Sequence, residues 1–206
     1  MEKSYPLTFS VDYPDRELNR LTTFFRLFTV IPIAIVLATV SGSTYTNYAG
    51  DSQAVAISAG GFITFGPLLM LLFRKKYPGW WANWNRELMR FANRCYVYLY
   101  LMDDTYPSTD EEQSVHLDFP QPNGEELSRG LPLVKWFLAI PHYFVLFFVG
   151  IAAAFCVFIA WFAILFTGRY PKSLFEFVEG FLRWGNRVNA YMGILVTDEY
   201  PPFSLK

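Results

Sequence analysis

The run LPLVKWFLAIPHYFVLFFVGIAAAFCVFIAWFAILFT, Leu131–Thr167, carries a single charge, on Lys135. From Trp136 to Gly168 there is no charged residue at all. A second window, Leu27–Phe73, is interrupted only by Asp51, and all 17 Lys and Arg of the 206-residue chain lie outside the two windows. A charge in hydrocarbon costs several kcal/mol unless it snorkels or pairs, and a spanning helix needs roughly 20 apolar residues. The windows therefore read as membrane segments. The rest of the composition agrees: 21 Phe, 13 Tyr and 6 Trp, with 17% charged residues against about a quarter in soluble domains.

Each window is longer than one span, which predicts two helical hairpins. The first joins about Phe24–Val40 to Ala54–Phe73 through the polar tip SGSTYTNYAGDSQ; the second joins about Leu131–Val149 to Ile151–Thr167. The second has almost no loop. With about four residues given to the turn, its arms keep roughly fifteen to seventeen residues each and reach roughly 23–25 Å at 1.5 Å per residue, short of a core about 30 Å thick, so a shallow full crossing is expected ahead of a re-entrant dip. Every cation lies before, between or after the windows, and positive-inside bias puts both termini and the central segment in the cytoplasm. The opening residues MEKSYPLTFSVDYPDRELNR contain no apolar h-region, so no cleavable signal peptide is expected.

The chain reads as a tandem duplication. SVDYP at Ser10 matches SVHLDFP at Ser114, and RLFTVIPIAIVL from Arg26 matches KWFLAIPHYFVL from Lys135. MLLFRKKYP from Met70 matches AILFTGRYP from Ala163, and RFANR (Arg90–Arg94) returns as RWGNR (Arg183–Arg187). Both units close on Tyr-Pro, Tyr106-Pro107 and Tyr200-Pro201. The fold expected is an all-α membrane protein of two repeats. Each is a transmembrane, or partly re-entrant, helical hairpin followed by an interfacial amphipathic helix, with a short extended segment in front. Unit one spans 1–107 (hairpin about 24–73, amphipathic helix about 79–102). Unit two spans 108–206 (hairpin about 131–167, amphipathic helix about 172–196). The alternations Leu7-Phe9-Val11 and Val115-Leu117-Phe119 could pair as a small ribbon.

After each Tyr-Pro the apolar period becomes helical. Polar residues recur at Asn83, Arg86, Glu87, Arg90, Asn93 and Arg94, and again at Glu176, Glu179, Arg183, Asn186 and Arg187. Such spacings define one narrow stripe on an otherwise aromatic helix, suited to the headgroup plane. Trp80, Trp81, Trp84 and Trp184 fit that depth. The stripe has three readings: it faces water and lipid phosphate; the basic Arg86/Arg90/Arg94 meet acidic Glu176/Glu179 across the two units; or it binds a particular anionic lipid or a partner's carboxylates. Arg86, Arg90, Asn93, Arg94, Arg183, Asn186 and Arg187 are thus the candidate contacts for anionic headgroups or a partner.

Pro32 and Pro141 stand inside apolar helices as candidate kinks, with His142 placed to bond the freed carbonyl or to line a contact between hairpins. Cys95 and Cys156 lack metal or redox spacing and read as small apolar residues. No catalytic residue, metal site or cofactor site is expected: there is no glycine-rich phosphate loop, no intramembrane acid, and no base beside a nucleophile. Net charge −1 gives no reason to expect nucleic acid.

LPLVKWFLAIPHYFVLFF, WFAILFTGRYP, FLRWGNRVNAY and the closing YPPF resemble a family of bacterial integral-membrane proteins catalogued as a domain of unknown function. The resemblance is close over Leu131–Phe203 and looser over Tyr5–Pro107, where the tip is expanded and RKKYPGWWANWNRE departs from TGRYP. It implies the bacterial inner membrane and supplies no catalytic residue. The function expected is that of a non-catalytic accessory or scaffold protein, multi-pass, packing against a larger membrane complex or its own copies. A small transporter or lipid-handling protein binding anionic headgroups is the alternative, and a headgroup enzyme, with only Asp198 and Glu199 near, the remotest.

Overall fold

The computed structural model describes residues 5–41 and 61–206. The first expected hairpin tip and the start of its second arm fall largely at 42–60, outside the described residues. Strand β1 (Thr8–Val11) is followed by three helices in close succession, α1 (Arg20–Phe24), α2 (Arg26–Thr29) and α3 (Ile31–Ser41). Helix α4 (Gly61–Leu69) ends in a π-helical turn, Met70–Arg74, and leads to α5 (Gly79–Leu99). Strand β2 (Val115–Asp118) precedes α6 (Leu131–Leu138) and α7 (Ile140–Thr167). Helix α8 (Lys172–Val188) closes the series, extended by a π-helical turn at Asn189–Gly193. The chain is mostly helical with a small two-stranded sheet.

The ribbon forms as the alternation requires. β1 and β2 pair antiparallel with Phe9 opposite Leu117 and Val11 opposite Val115. Leu7, Phe9, Val11, Val115, Leu117 and Phe119 are all buried, because period-two side chains share one face and here that face lies on α5 and α8. Tyr77 and Tyr170, from the two Tyr-Pro pairs that start those helices, join the same core. Pro78 and Pro171 stand as N-caps in extended conformation.

The second expected hairpin is not a hairpin. Helix α7 runs unbroken for 28 residues, straight through Gly150, a length of about 42 Å. A turn there would leave up to about four C=O groups before it and four N–H groups after it without partners, at a steep cost in apolar surroundings. A helical glycine costs only about 0.5–1 kcal/mol relative to alanine. Continuation wins. The expected kinks also move. Pro32 and Pro141 are each the second residue of a helix, α3 and α7. A proline there loses no hydrogen bond its helix would have made; the helical run is broken two residues before each proline, at Val30 and Ala139.

Two leucines share an uncommon backbone conformation. Leu101 and Leu195 adopt left-handed conformation, φ 63° and 57°, each two residues beyond a helical end, Leu99 and the π-helical Gly193, with side chains buried. At the ends of the apolar helices Lys75 (φ 51°) and Gly168 (φ 74°) do likewise. Gly168 is held by its N–H on the Ile164 carbonyl at 2.8 Å, and its own carbonyl accepts from Leu18 N–H at 2.8 Å.

A methyl group added at Gly150 would meet the Phe181 ring at 3.4 Å, ordinary contact. Gly150→Ala is therefore expected to raise stability by about 0.5–1 kcal/mol in detergent-solubilised unfolding. A turn at that position would instead make the variant less stable.

Candidate functional site: a buried polar seam

The polar stripes of α5 and α8 turn inward, toward the ribbon and each other. At their crossing Asn93 donates to Asn186 Oδ1 at 2.9 Å and Asn186 donates to Asn93 Oδ1 at 2.7 Å, a reciprocal amide pair between residues 93 apart. Both side chains are buried. An amide pair closed on itself costs little to bury; either amide alone would be left with its polar atoms unmet.

The arginines act on the strands. Arg90 Nε donates to Leu117 O at 2.8 Å, and Arg183 Nε donates to Phe9 O at 2.9 Å, so the two carbonyls that face each other in the register are each held by one helix. Arg86 donates to Phe119 O at 2.7 Å and pairs with Asp118 at 3.0 Å. Glu179 accepts from Val11 N–H at 3.3 Å and pairs with Arg183 of its own helix. These contacts satisfy outward groups that a two-stranded ribbon leaves open along its edges. Arg94 donates to Ser108 O at 3.1 Å and Arg187 to Lys206 O at 2.6 Å. Burial lowers both guanidinium pKa values from their usual range.

Basic Arg86, Arg90 and Arg94 do not meet Glu176 and Glu179 across the units. Glu179 is taken by Arg183 and β1, and Glu176 is exposed. His142 is fully buried, accepts at Nδ1 from Trp184 Nε1–H at 3.0 Å and stacks on Phe203 at 4.0 Å. It is a packing element between α7, α8 and the closing segment. Cys95 is buried with Ile33 and Phe91 where α3 meets α5, and Cys156 packs against the main core; both are free thiols.

Two cations central to the fold escaped sequence reasoning. Lys135 is fully buried, with Nζ donating to Thr197 O at 2.7 Å and pairing with Asp198 at 2.7 Å over the Tyr191 ring. Arg26, also buried, donates to Asp103 O at 3.0 Å and lies 3.8 Å over the Tyr98 ring. Their signal was present: they open the matching stretches RLFTVIP and KWFLAIP, where they read as flanks of the apolar windows. Nearby, Arg16 pairs with Asp103 at 2.9 Å and with Asp104. Burial alone raises the Asp104 carboxyl, but Arg16 and the Asn19 N–H outweigh it and hold it below its usual range. Among the described residues no group of three His, Cys, Asp or Glu is placed to hold a metal ion.

Residues 132–204, from α6 through the closing Tyr-Pro, match the model of a domain of unknown function, DUF4389. No curated protein matches the chain. No solved structure matches it either.

Removing one partner of a buried ion pair strands the other charge. Asp198→Ala is expected to cost about 3 kcal/mol, toward the low end for buried pairs because the carboxylate keeps some water. In Lys135→Met with Asp198→Ala most of that loss should return. Equal instability of the single and double variants in denaturant titrations would contradict the pairing.

Proposed function

We propose that this chain is a non-catalytic accessory or scaffold protein of the bacterial inner membrane, with both termini on the cytoplasmic side. The observation that carries the proposal is the use of its polar groups. The polar side chains of the α5–α8 seam and the buried cation Lys135 are spent inside the molecule: the Asn93–Asn186 pair, the arginines on strand carbonyls, Lys135 on Asp198. The outward faces of α1–α3 and α6–α7 are apolar. Leu131–Thr167 is long and apolar enough to cross a membrane, and large side chains along it stand exposed, among them Phe144, Phe147, Phe155 and Phe166.

We further propose that the chain is two copies of one unit. Support comes from the amide pair between corresponding asparagines, the Arg90 and Arg183 contacts on facing carbonyls, and left-handed leucines at Leu101 and Leu195. A left-handed leucine costs roughly 1–2 kcal/mol, so its recurrence at matching sites favours common descent over chance.

A lipid-handling role is the second reading. One feature favours it: an apolar groove of about 390 Å³ between α1, α2, α5 and α7, lined by Phe24, Leu27, Leu99, Val157, Phe158 and Trp161, with the apolar chemistry an acyl chain requires.

The accessory reading predicts that protein extracted from native membranes in mild detergent runs in an assembly well above the mass of one chain, with a second subunit or further copies in fixed ratio. A monodisperse monomer carrying neither, by light scattering and mass spectrometry, would overturn it. Stoichiometric co-purifying phospholipid in the monomer would favour lipid handling.

A further inference from the structure

The longest apolar helix of this protein is fastened along its whole length to a layer that cannot enter hydrocarbon. Helix α8 runs back beside α7: Tyr143 bonds Met192 Sδ at 2.6 Å near one end, and Gly150 meets Phe181 in the middle. Ala160 and Ile164 share the core with Phe175 and Val178 toward the other end. On its far side α8 grips β1 through Arg183 and Glu179. The ribbon beyond exposes Asp12, His116 and Asp118.

Both ends of the α6–α7 run are tied to this same body, through Lys135 to Asp198 at one and through Gly168 to Leu18 at the other. Were α7 to stand across a bilayer, α8 and the ribbon would stand beside it at the same depth. Ion pairs and the edges of a two-stranded sheet would then sit in hydrocarbon, which open sheet edges do not tolerate and where each central charge costs at least about 2.5–3.5 kcal/mol.

The apolar side has the opposite character. Along α7 the residues Phe144, Phe148, Ile151, Phe155, Phe162 and Phe166 are exposed in a strip without a charge. Leu21, Phe24, Leu27, Phe28, Ile31 and Ile35 of α1–α3 are exposed as well. A protein–protein interface carries a polar rim and polar contacts within it; this strip has none over its length. Exposed cations stand at the helix ends instead: Arg20 at the start of α1, Arg74 and Lys76 after α4, Arg129 before α6, Arg169 and Lys172 after α7. Trp80 and Trp136 are exposed too, and their amphipathic rings suit the interface. Basic residues bordering an apolar surface match anionic headgroups bordering acyl chains.

We infer that the protein is seated in one leaflet of an anionic bilayer, with α7 lying in the membrane plane rather than across it. The inference rests on the membrane reading above and fixes its geometry. A helix about 10 Å across fits within half of a core about 30 Å thick. The strip faces acyl chains, the terminal cations reach phosphates, and the ribbon stays in cytoplasmic water.

The test is a depth profile. Single cysteines at Phe144, Phe148, Phe155, Phe162 and Phe166, in a background with Cys95 and Cys156 changed to Ala, are spin-labelled in vesicles of phosphatidylethanolamine and phosphatidylglycerol. All five positions are exposed, so the labels displace no core contact. Relative accessibility to oxygen and to a water-soluble nickel chelate reports depth. The expected result is five similar depths, all shielded from nickel. Depth greatest at Phe155 and falling to water at both ends would overturn the in-plane geometry while leaving membrane residence intact. Nickel access at all five would overturn both, and labels shielded from oxygen and nickel alike would mean that protein, not lipid, covers the strip.

Discussion

The structure depends on two amphipathic helices turning their polar stripes toward protein rather than toward solvent or lipid. At the centre is the closed amide pair of Asn93 and Asn186. Flanking it, Arg90 and Arg183 each hold the carbonyl that faces the other in the ribbon. An isolated two-stranded ribbon is marginal in water; here both strands are held from outside by guanidinium groups and from below by the apolar core. The seam therefore supports the sheet, and the sheet gives the seam its partners.

With the polar groups satisfied inside, the outward faces of α1–α3 and of α6–α7 are left to Phe, Ile, Leu and Trp. The transition between the regions is handled by short devices at helix ends. Left-handed residues at Lys75, Leu101, Gly168 and Leu195 turn the chain without a long loop. The buried cations Arg26 and Lys135 tie the start of each apolar run to the segment following the amphipathic helices, at Asp103 and at Thr197 and Asp198. A cation at the lip of an apolar run thus serves as a tether.

Much of this was legible in the sequence, for identifiable reasons. Alternation at Leu7-Phe9-Val11 and Val115-Leu117-Phe119 gave the ribbon, because period two is a local property of strands. The three-and-four spacing gave α5 and α8. What periodicity cannot give is the identity of the cover: the same stripe would serve water, lipid phosphate or a neighbouring strand, and only the tertiary arrangement chooses. Length arithmetic misled at Gly150. A run too long for one perpendicular span invited division into two arms, yet nothing in VGIAAA breaks a helix; the run has no proline or polar turn residue there. Lys135 was read as a flank because its partner, Asp198, lies in a distant segment with no local signal. Pro32 and Pro141 were read as kinks inside helices; each instead stands in the first turn of a new helix, the break lying two residues earlier at Val30 and Ala139.

The inward seam is tested most directly by a double-mutant cycle at Asn93 and Asn186, read by equilibrium unfolding in detergent. Changing either residue alone to Ala should leave a buried amide unmet, whereas changing both removes the unmet groups together. The account predicts strong non-additivity, with a coupling of about 1–3 kcal/mol and a double variant little worse than either single one. Purely additive losses would mean that the two helices do not meet through their polar stripes, and the seam would not exist.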